Sequence, residues 1–166
     1  MTGAGSLQIW FVERRYAAIE EMLTLRGFMI ATATGQPSRW DERPEGDPPT
    51  GLVHIRAYLR DEHNAPDRRV SFTATERWAA RDPGFGATES QGHWRASYSY
   101  HARLESTVGC REFRYDFDPQ QHPEMPYHAH PERAPNQRQL WTPVDPADAV
   151  DRLQQMAADE TEKGNL

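Results

Sequence analysis

The stretch VSFTATERW, residues 70 to 78, alternates Val70, Phe72, Ala74 and Trp78 with Ser71, Thr73, Thr75 and Arg77. A period of two belongs to an extended strand with one face buried and one in water. The pattern continues outward in both directions. Upstream, Val53, Ile55, Ala57 and Leu59 alternate with His54, Arg56, Tyr58 and Arg60; downstream, a third strand runs from Trp94 through Ala96, Tyr98, Tyr100 and Ala102 to Leu104. A fourth spans Cys110 to Phe117 with Phe113, Tyr115 and Phe117 on one face. The links Asp61–Arg68 and Glu105–Gly109 are too short for a parallel crossover, which takes a dozen or more residues, so antiparallel meander connections are expected. Arg81 to Gly92, with three glycines and one proline, reads as a loose loop.

Glu76 interrupts the apolar face of its strand. An unpaired carboxylate there is costly, so it is either a strut paired with an arginine such as Arg95 or Arg114, or a poised acid. Tyr98 and Tyr100 share the face of Trp94 and read as core.

Helical periodicity bounds the strands. Ile9, Val12, Tyr16, Ile19 and Leu23 recur at spacings of three and four, with Ser6 as an N-cap and Gly27 as a stop, predicting a helix over 7–26. Phe28 to Thr34 reads as a short strand, and Gly35 to Thr50, with four prolines and two glycines, as an exposed, mobile loop. Near the end, Asp145 caps a helix that has Pro146 first and Asp148 in its opening turn, with Val150, Leu153 and Ala157 as its apolar face. It is expected to fray after Ala158, leaving a tail over 159–166. The expected fold is α+β: one domain over 1–166, ordered over about 7–158, with an antiparallel meander sheet of four to six strands and an N-terminal and a C-terminal helix packed on it.

Composition narrows the function classes. No run approaches the roughly 20 apolar residues of a membrane span, and Met1 to Ser6 has no signal-like core, so a cytoplasmic protein is expected. The lone Cys110 fits a reducing compartment and reads as a small core residue without a catalytic partner. The net charge of −6 opposes generic nucleic-acid binding, yet the excess acid sits at the ends: residues 51 to 142 carry twelve acids and twelve bases. Eighteen of the nineteen bases are arginines. Any nucleic-acid contact is therefore expected to be local, arginine-centred and salt-sensitive.

The segment EFRYDFDPQQHPEMPYHAHPE, residues 112 to 132, gathers the remaining chemistry. Arg114 and Asp116 stand two apart on the fourth strand, opposite Phe113, Tyr115 and Phe117. His122 follows a bend, and His128 and His130 point the same way if Pro126 and Pro131 keep their segment extended. A solvated proline-rich loop is one reading of this stretch. Another is metal-free acid–base chemistry, with His122 or His130 as base and acid and Arg114 as phosphate clamp. A third is a divalent ion such as Zn held by His122, His128, His130 and Asp116. The proline-rich spacing imposes no tetrahedral geometry, so the metal-free version, with no cofactor, is preferred.

The run SYSYHARLESTVGCREFRYDFDPQQHPEMPYHAHPE, residues 97 to 132, resembles the TumE family of toxins from bacterial and archaeal toxin–antitoxin pairs. The resemblance rests on Tyr98 and Tyr100, on Phe113 to Asp116, on His122, and on His128 with His130 ahead of the last helix. Glu76 stands where the family often has an acidic residue. The resemblance implies a toxin, an antitoxin partner, and RNA or a nucleotide as substrate, with Glu76, Arg114, Asp116, His122, His128 and His130 as its site residues. Against it stands a non-catalytic interaction module whose sheet edge and helices bind a partner.

Overall fold

In a computed structural model the protein is described over residues 9–31, 38–43, 50–59 and 68–164. Helix α1 (Ile9–Leu25) leads into strands β1 (Phe28–Ile30), β2 (Arg39–Arg43), β3 (Thr50–Leu59), β4 (Arg69–Ala79), β5 (Glu89–Ser90), β6 (His93–Ser106), β7 (Gly109–Phe117), β8 (Tyr127–His130) and β9 (Gln139–Leu140). Helix α2 (Pro146–Gly164) closes the order. The sheet runs β1-β3-β4-β6-β7-β8-β9, with β2 beside β3 and β5 beside β6. Every pair is antiparallel. The α+β meander with flanking helices is thus the architecture, and among the described residues its nine strands exceed the four to six expected.

The extra strands come from segments that read as loops. β2 lies inside the expected loop over 35–50: Arg39–Arg43 pairs with Thr50–His54, on the side of β3 whose other half is taken by β1. That pairing satisfies backbone groups that would otherwise form an open edge. β5 does the same for the start of β6, and β8 and β9 arise from the proline-rich region. Residues 32–37, 44–49 and 60–67, with the Ser6 cap, lie outside the described residues.

The face covered by the helices carries the core. Ile55, Phe72, Tyr100, Leu104, Phe113 and Phe117 are buried there with Val12, Ile19 and Leu23 of α1 and Val150 and Leu153 of α2. Each large apolar side chain so buried stabilises the fold by about 1.5–3 kcal/mol. Gly27 ends α1 at φ 83° and accommodates the left-handed turn into β1. α2 does not fray at Ala158 but continues to Gly164. Its polar last turns are held by Arg68 to Thr161 at 2.6 Å, Ser106 to Glu160 at 3.3 Å, and a Gln155–Asp159 pair at 2.8 Å.

One irregularity overrides the period of two. Between β4 and β6 the register steps from Arg77↔Ser97 to Trp78↔Arg95, leaving Ala96 unpaired as a bulge. Residues before the bulge therefore exchange faces. His93 and Arg95 turn into the buried face, and Trp94 is half-buried away from the Tyr98 and Tyr100 face that its spacing had assigned to it. Cys110 is another correction: it is exposed at the start of β7, with Arg103 Nε 3.2 Å from its sulfur. Its even position places it opposite the Phe113 and Tyr115 face.

Candidate functional site

The sheet separates the six residues picked out from the sequence into two places. Glu76 is on the helix-covered face with no exposed surface. Its carboxylate takes a two-pronged contact from Arg15, at 2.8 Å and 2.7 Å, a bond from Trp78 Nε1 at 2.7 Å, and one from the Tyr100 hydroxyl. Arg95 stands 3.8 Å away and also donates to Tyr100 at 2.7 Å. Burial alone would raise the Glu76 carboxyl. The Arg15 fork, the Arg15 and Arg95 charges and the Tyr100 hydroxyl outweigh burial and hold it below its usual range. Burial beside Glu76 pushes the Tyr100 hydroxyl well up. Glu76 is thus the strut, its chief partner is Arg15 of α1, and Arg114 has no contact with it. The bulge at Ala96 is what turns Arg95 inward.

Arg114, Asp116, His128 and His130 meet on the opposite face. Strand β7 presents Arg114 and Asp116 there, and the β7–β8 register sets Arg114 beside His130 and Asp116 beside His128. Asp116, His128 and His130 are all buried. Arg114 Nε donates to Asp116 Oδ2 at 2.7 Å, and an Arg114 terminal nitrogen lies 2.9 Å from His130 Nε2. Asp116 Oδ2 is also 3.2 Å from His130 Nε2 and 3.5 Å from His128 Nε2. The other edge of each ring is occupied: His128 Nδ1 is 2.9 Å from the Met125 carbonyl, and His130 Nδ1 is 2.9 Å from the Pro135 carbonyl. A carbonyl only accepts, so each Nδ1 carries the proton. In the neutral rings both Nε2 lone pairs then face the carboxylate. Burial holds His128 below its usual pKa, against the opposing pull of the Met125 carbonyl and Asp116.

His122 does not join this convergence. Its ring stands edge-on to His128 with centroids 5.2 Å apart, and its Nδ1 is 3.9 Å from Glu124. It backs His128 and is not among the groups that meet at Asp116.

A cleft of about 570 Å³ opens beside the cluster on its Arg114 and Asp116 side, lined by these two with Thr75, Arg77, Ser97, Ser99 and the turn Asp118–Gln121. Part of its wall follows from strand register, because Thr75, Ser99 and Asp116 stand opposite one another across β4, β6 and β7, with His54 and His128 next in the same row beyond the lining. His54 Nδ1 meets Thr75 Oγ1 at 3.0 Å. Sequence reasoning placed Thr75 and Arg77 on the outer face but had no means of joining them to Arg114. The Met125 and Pro135 carbonyls, which orient the two imidazoles, leave no side-chain signal at all.

This arrangement can do two things. Arg114 offers a fork to an anion in the cleft, and the two Nε2 atoms with Asp116 offer electron pairs to a proton or a cation. Among the described residues, no helix is long and apolar enough to cross a membrane. No protein-family model matches the chain, and no curated protein or solved structure was found to match it.

Proposed function

We propose that the chain is the toxin of a prokaryotic toxin–antitoxin pair and that it cleaves RNA by metal-independent phosphoryl transfer in the cleft over Arg114. The position of Arg114 supports the chemistry. Its side chain is 43% exposed, lines the cleft, and is shared between Asp116 and His130. A guanidinium so placed can turn its fork onto a phosphodiester, exchanging two internal partners for two phosphate oxygens.

That exchange frees His130 Nε2 to act as base. It takes the proton of the 2′-hydroxyl, and the imidazolium so formed faces Asp116 Oδ2 at 3.2 Å, which stabilises it. The 2′-oxygen attacks phosphorus, the bond to the 5′-oxygen breaks, and that oxygen is protonated by water in the open cleft. Arg114 offsets the charge that builds on the phosphoryl oxygens. The products are a 2′,3′-cyclic phosphate and a 5′-hydroxyl. His128 stands beside Asp116, and His122 packs edge-on against His128.

The toxin context, and with it an antitoxin partner, rests on the resemblance over residues 97 to 132. The test joins chemistry to context. Purified protein is incubated with single-stranded RNA of mixed sequence in the presence of a chelator, and the ends of the products are identified. Arg114→Ala and His130→Ala should each lower cleavage by about 100-fold or more, with the far-UV circular dichroism unchanged. Intact RNA with wild-type protein, together with undisturbed growth of cells expressing it, defeats the proposal.

A further inference from the structure

We propose that Asp116, His128 and His130 form a binding site for a divalent transition-metal ion of the zinc class, and that Arg114 is the ion's internal competitor. Both Nδ1 atoms are committed to carbonyls, so Nε2 is the ligand atom on each ring. Backing of this kind, from the far ring nitrogen to a carbonyl, is the usual outer support of a metal-bound imidazole. Both Nε2 atoms point at one carboxylate oxygen, and such acceptors repel unless something positive lies among them.

Arg114 supplies that charge for Asp116 Oδ2 and His130 Nε2. It does not supply it for the rest. His128 Nε2 has no donor among the described residues, and Asp116 Oδ2 lies 3.5 Å from it. Asp116 Oδ1 is buried and has no hydrogen-bond partner among the described residues. A buried carboxylate oxygen left in this way is costly and points to a ligand.

Spacing supports the ion. Ligand atoms about 2.0–2.1 Å from a tetrahedral metal stand about 3.4 Å apart. The two Nε2-to-Oδ2 separations, 3.2 Å and 3.5 Å, match this value, while the three residues' candidate ligand atoms, all within 4.8 Å of one another, would have to draw closer around the ion. Two imidazoles and one carboxylate select zinc-class ions over magnesium, which takes oxygen ligands and keeps its water. Because Asp116 also lines the cleft, a fourth position would face water. An ion touching Oδ2 and His130 Nε2 would sit against the Arg114 guanidinium, so one cation must leave; Arg114, being partly exposed, is the one able to swing away.

The inference does not rest on RNA cleavage, since ion and guanidinium are alternative occupants and the cleaving enzyme proposed above is the ion-free form. The test is therefore a binding measurement. Chelator-treated, dialysed protein is titrated with zinc chloride by calorimetry near pH 7.5, and with magnesium chloride in parallel. One zinc ion per chain is expected, with no saturable magnesium binding at the same concentrations. Asp116→Asn and His128→Ala should weaken zinc at least tenfold, Arg114→Ala should tighten it at least tenfold, and Cys110→Ala, at the exposed start of β7, should leave it unchanged.

Because the buried variants can lose their fold, a second measurement uses the wild-type protein alone. Nitrogen-detected NMR of the imidazoles should show zinc at Nε2 of His128 and His130 while both Nδ1 atoms stay protonated. The proposal is overturned by the absence of one-to-one binding in both wild type and Arg114→Ala, by coordination through Nδ1, by unchanged affinity in a folded His128→Ala, or by a Cys110→Ala loss matching that of Asp116→Asn. Arg114→Ala binding no tighter than wild type overturns the competition.

Discussion

Among the described residues, each face of the sheet holds one buried carboxylate near arginines, and the two are satisfied very differently. Glu76 has Arg15, Trp78 and Tyr100 on its two oxygens, with Arg95 nearby. Asp116 has Arg114 on one oxygen, two imidazole nitrogens facing that same oxygen, and no hydrogen-bond partner for the other among the described residues. A carboxylate whose acceptors are filled from inside the fold has nothing left to offer a ligand. One with an open oxygen keeps chemistry in reserve at the expense of stability. The two faces teach that burial and charge alone do not mark a site; the count of unfilled partners does.

The largest effect should come from the satisfied side. Glu76→Ala leaves Arg15 and Arg95 without their shared counter-charge, and breaking such a buried pair costs about 3–5 kcal/mol. Equilibrium urea unfolding measures this, and a loss below about 1 kcal/mol would break the contrast between the faces. The Glu76→Leu, Arg15→Met double variant should lose less than the sum of its single changes, because each removes the other's stranded charge.

The same network fixes a pH dependence. The Glu76 carboxyl lies below its ordinary value of 4.5 in the folded protein. Below 4.5 the unfolded chain therefore binds the extra proton, so this contribution is present above that value and lost as pH falls through the folded one. Urea midpoints recorded between pH 5 and pH 3 should fall more steeply for wild type than for Glu76→Gln. Equal slopes would show that the carboxylate is not held by its arginines.

A smaller effect is expected where the segment leading into α2 is hydrogen-bonded to β6. The Val144 N–H donates to the Tyr98 hydroxyl at 3.0 Å, and burial pushes that hydroxyl up to about 12, past the modest opposing pull of the Val144 bond. Tyr98→Phe strands a buried N–H and should cost about 1–3 kcal/mol by urea unfolding. An unchanged midpoint would mean that Val144 finds another acceptor.

The smallest change sharpens the contrast. Asp116→Asn replaces an incompletely satisfied carboxylate by an amide whose N–H can donate to His128 Nε2, so stability should move by less than about 1 kcal/mol. Zinc binding and RNA cleavage should nonetheless fall. A loss as large as that of Glu76→Ala would make both carboxylates struts and remove the basis for a site on the outer face.

The elements legible in the sequence were those with a period. Val53 to Leu59, Val70 to Trp78 and Phe113 to Phe117 announce strands because one face of each is in the core. The helices announce themselves through Val12, Ile19 and Leu23 and through Val150, Leu153 and Ala157. β2, β5 and β9 were not legible, since short polar strands are called into being by the open edge of a neighbour and carry no apolar alternation of their own. Arg114, Asp116, His128 and His130 could be placed on one face from parity. His122 could not be excluded from the set, because its place depends on the turn that follows Asp118.

By itself, then, the sequence determined the antiparallel α+β plan and the parity that puts Arg114 with Asp116 and His128 with His130. Parity is a local property of an extended backbone, and hydrophobic burial enforces it residue by residue. Only the tertiary structure decided that Ala96 bulges and turns Arg95 inward, that Arg15 reaches from α1 to fill Glu76, and that the Met125 and Pro135 carbonyls aim both Nε2 atoms at Asp116. These are contacts between segments distant in sequence, or between side chains and backbone, whose energies depend on register and distance, and no periodicity along the chain carries either quantity.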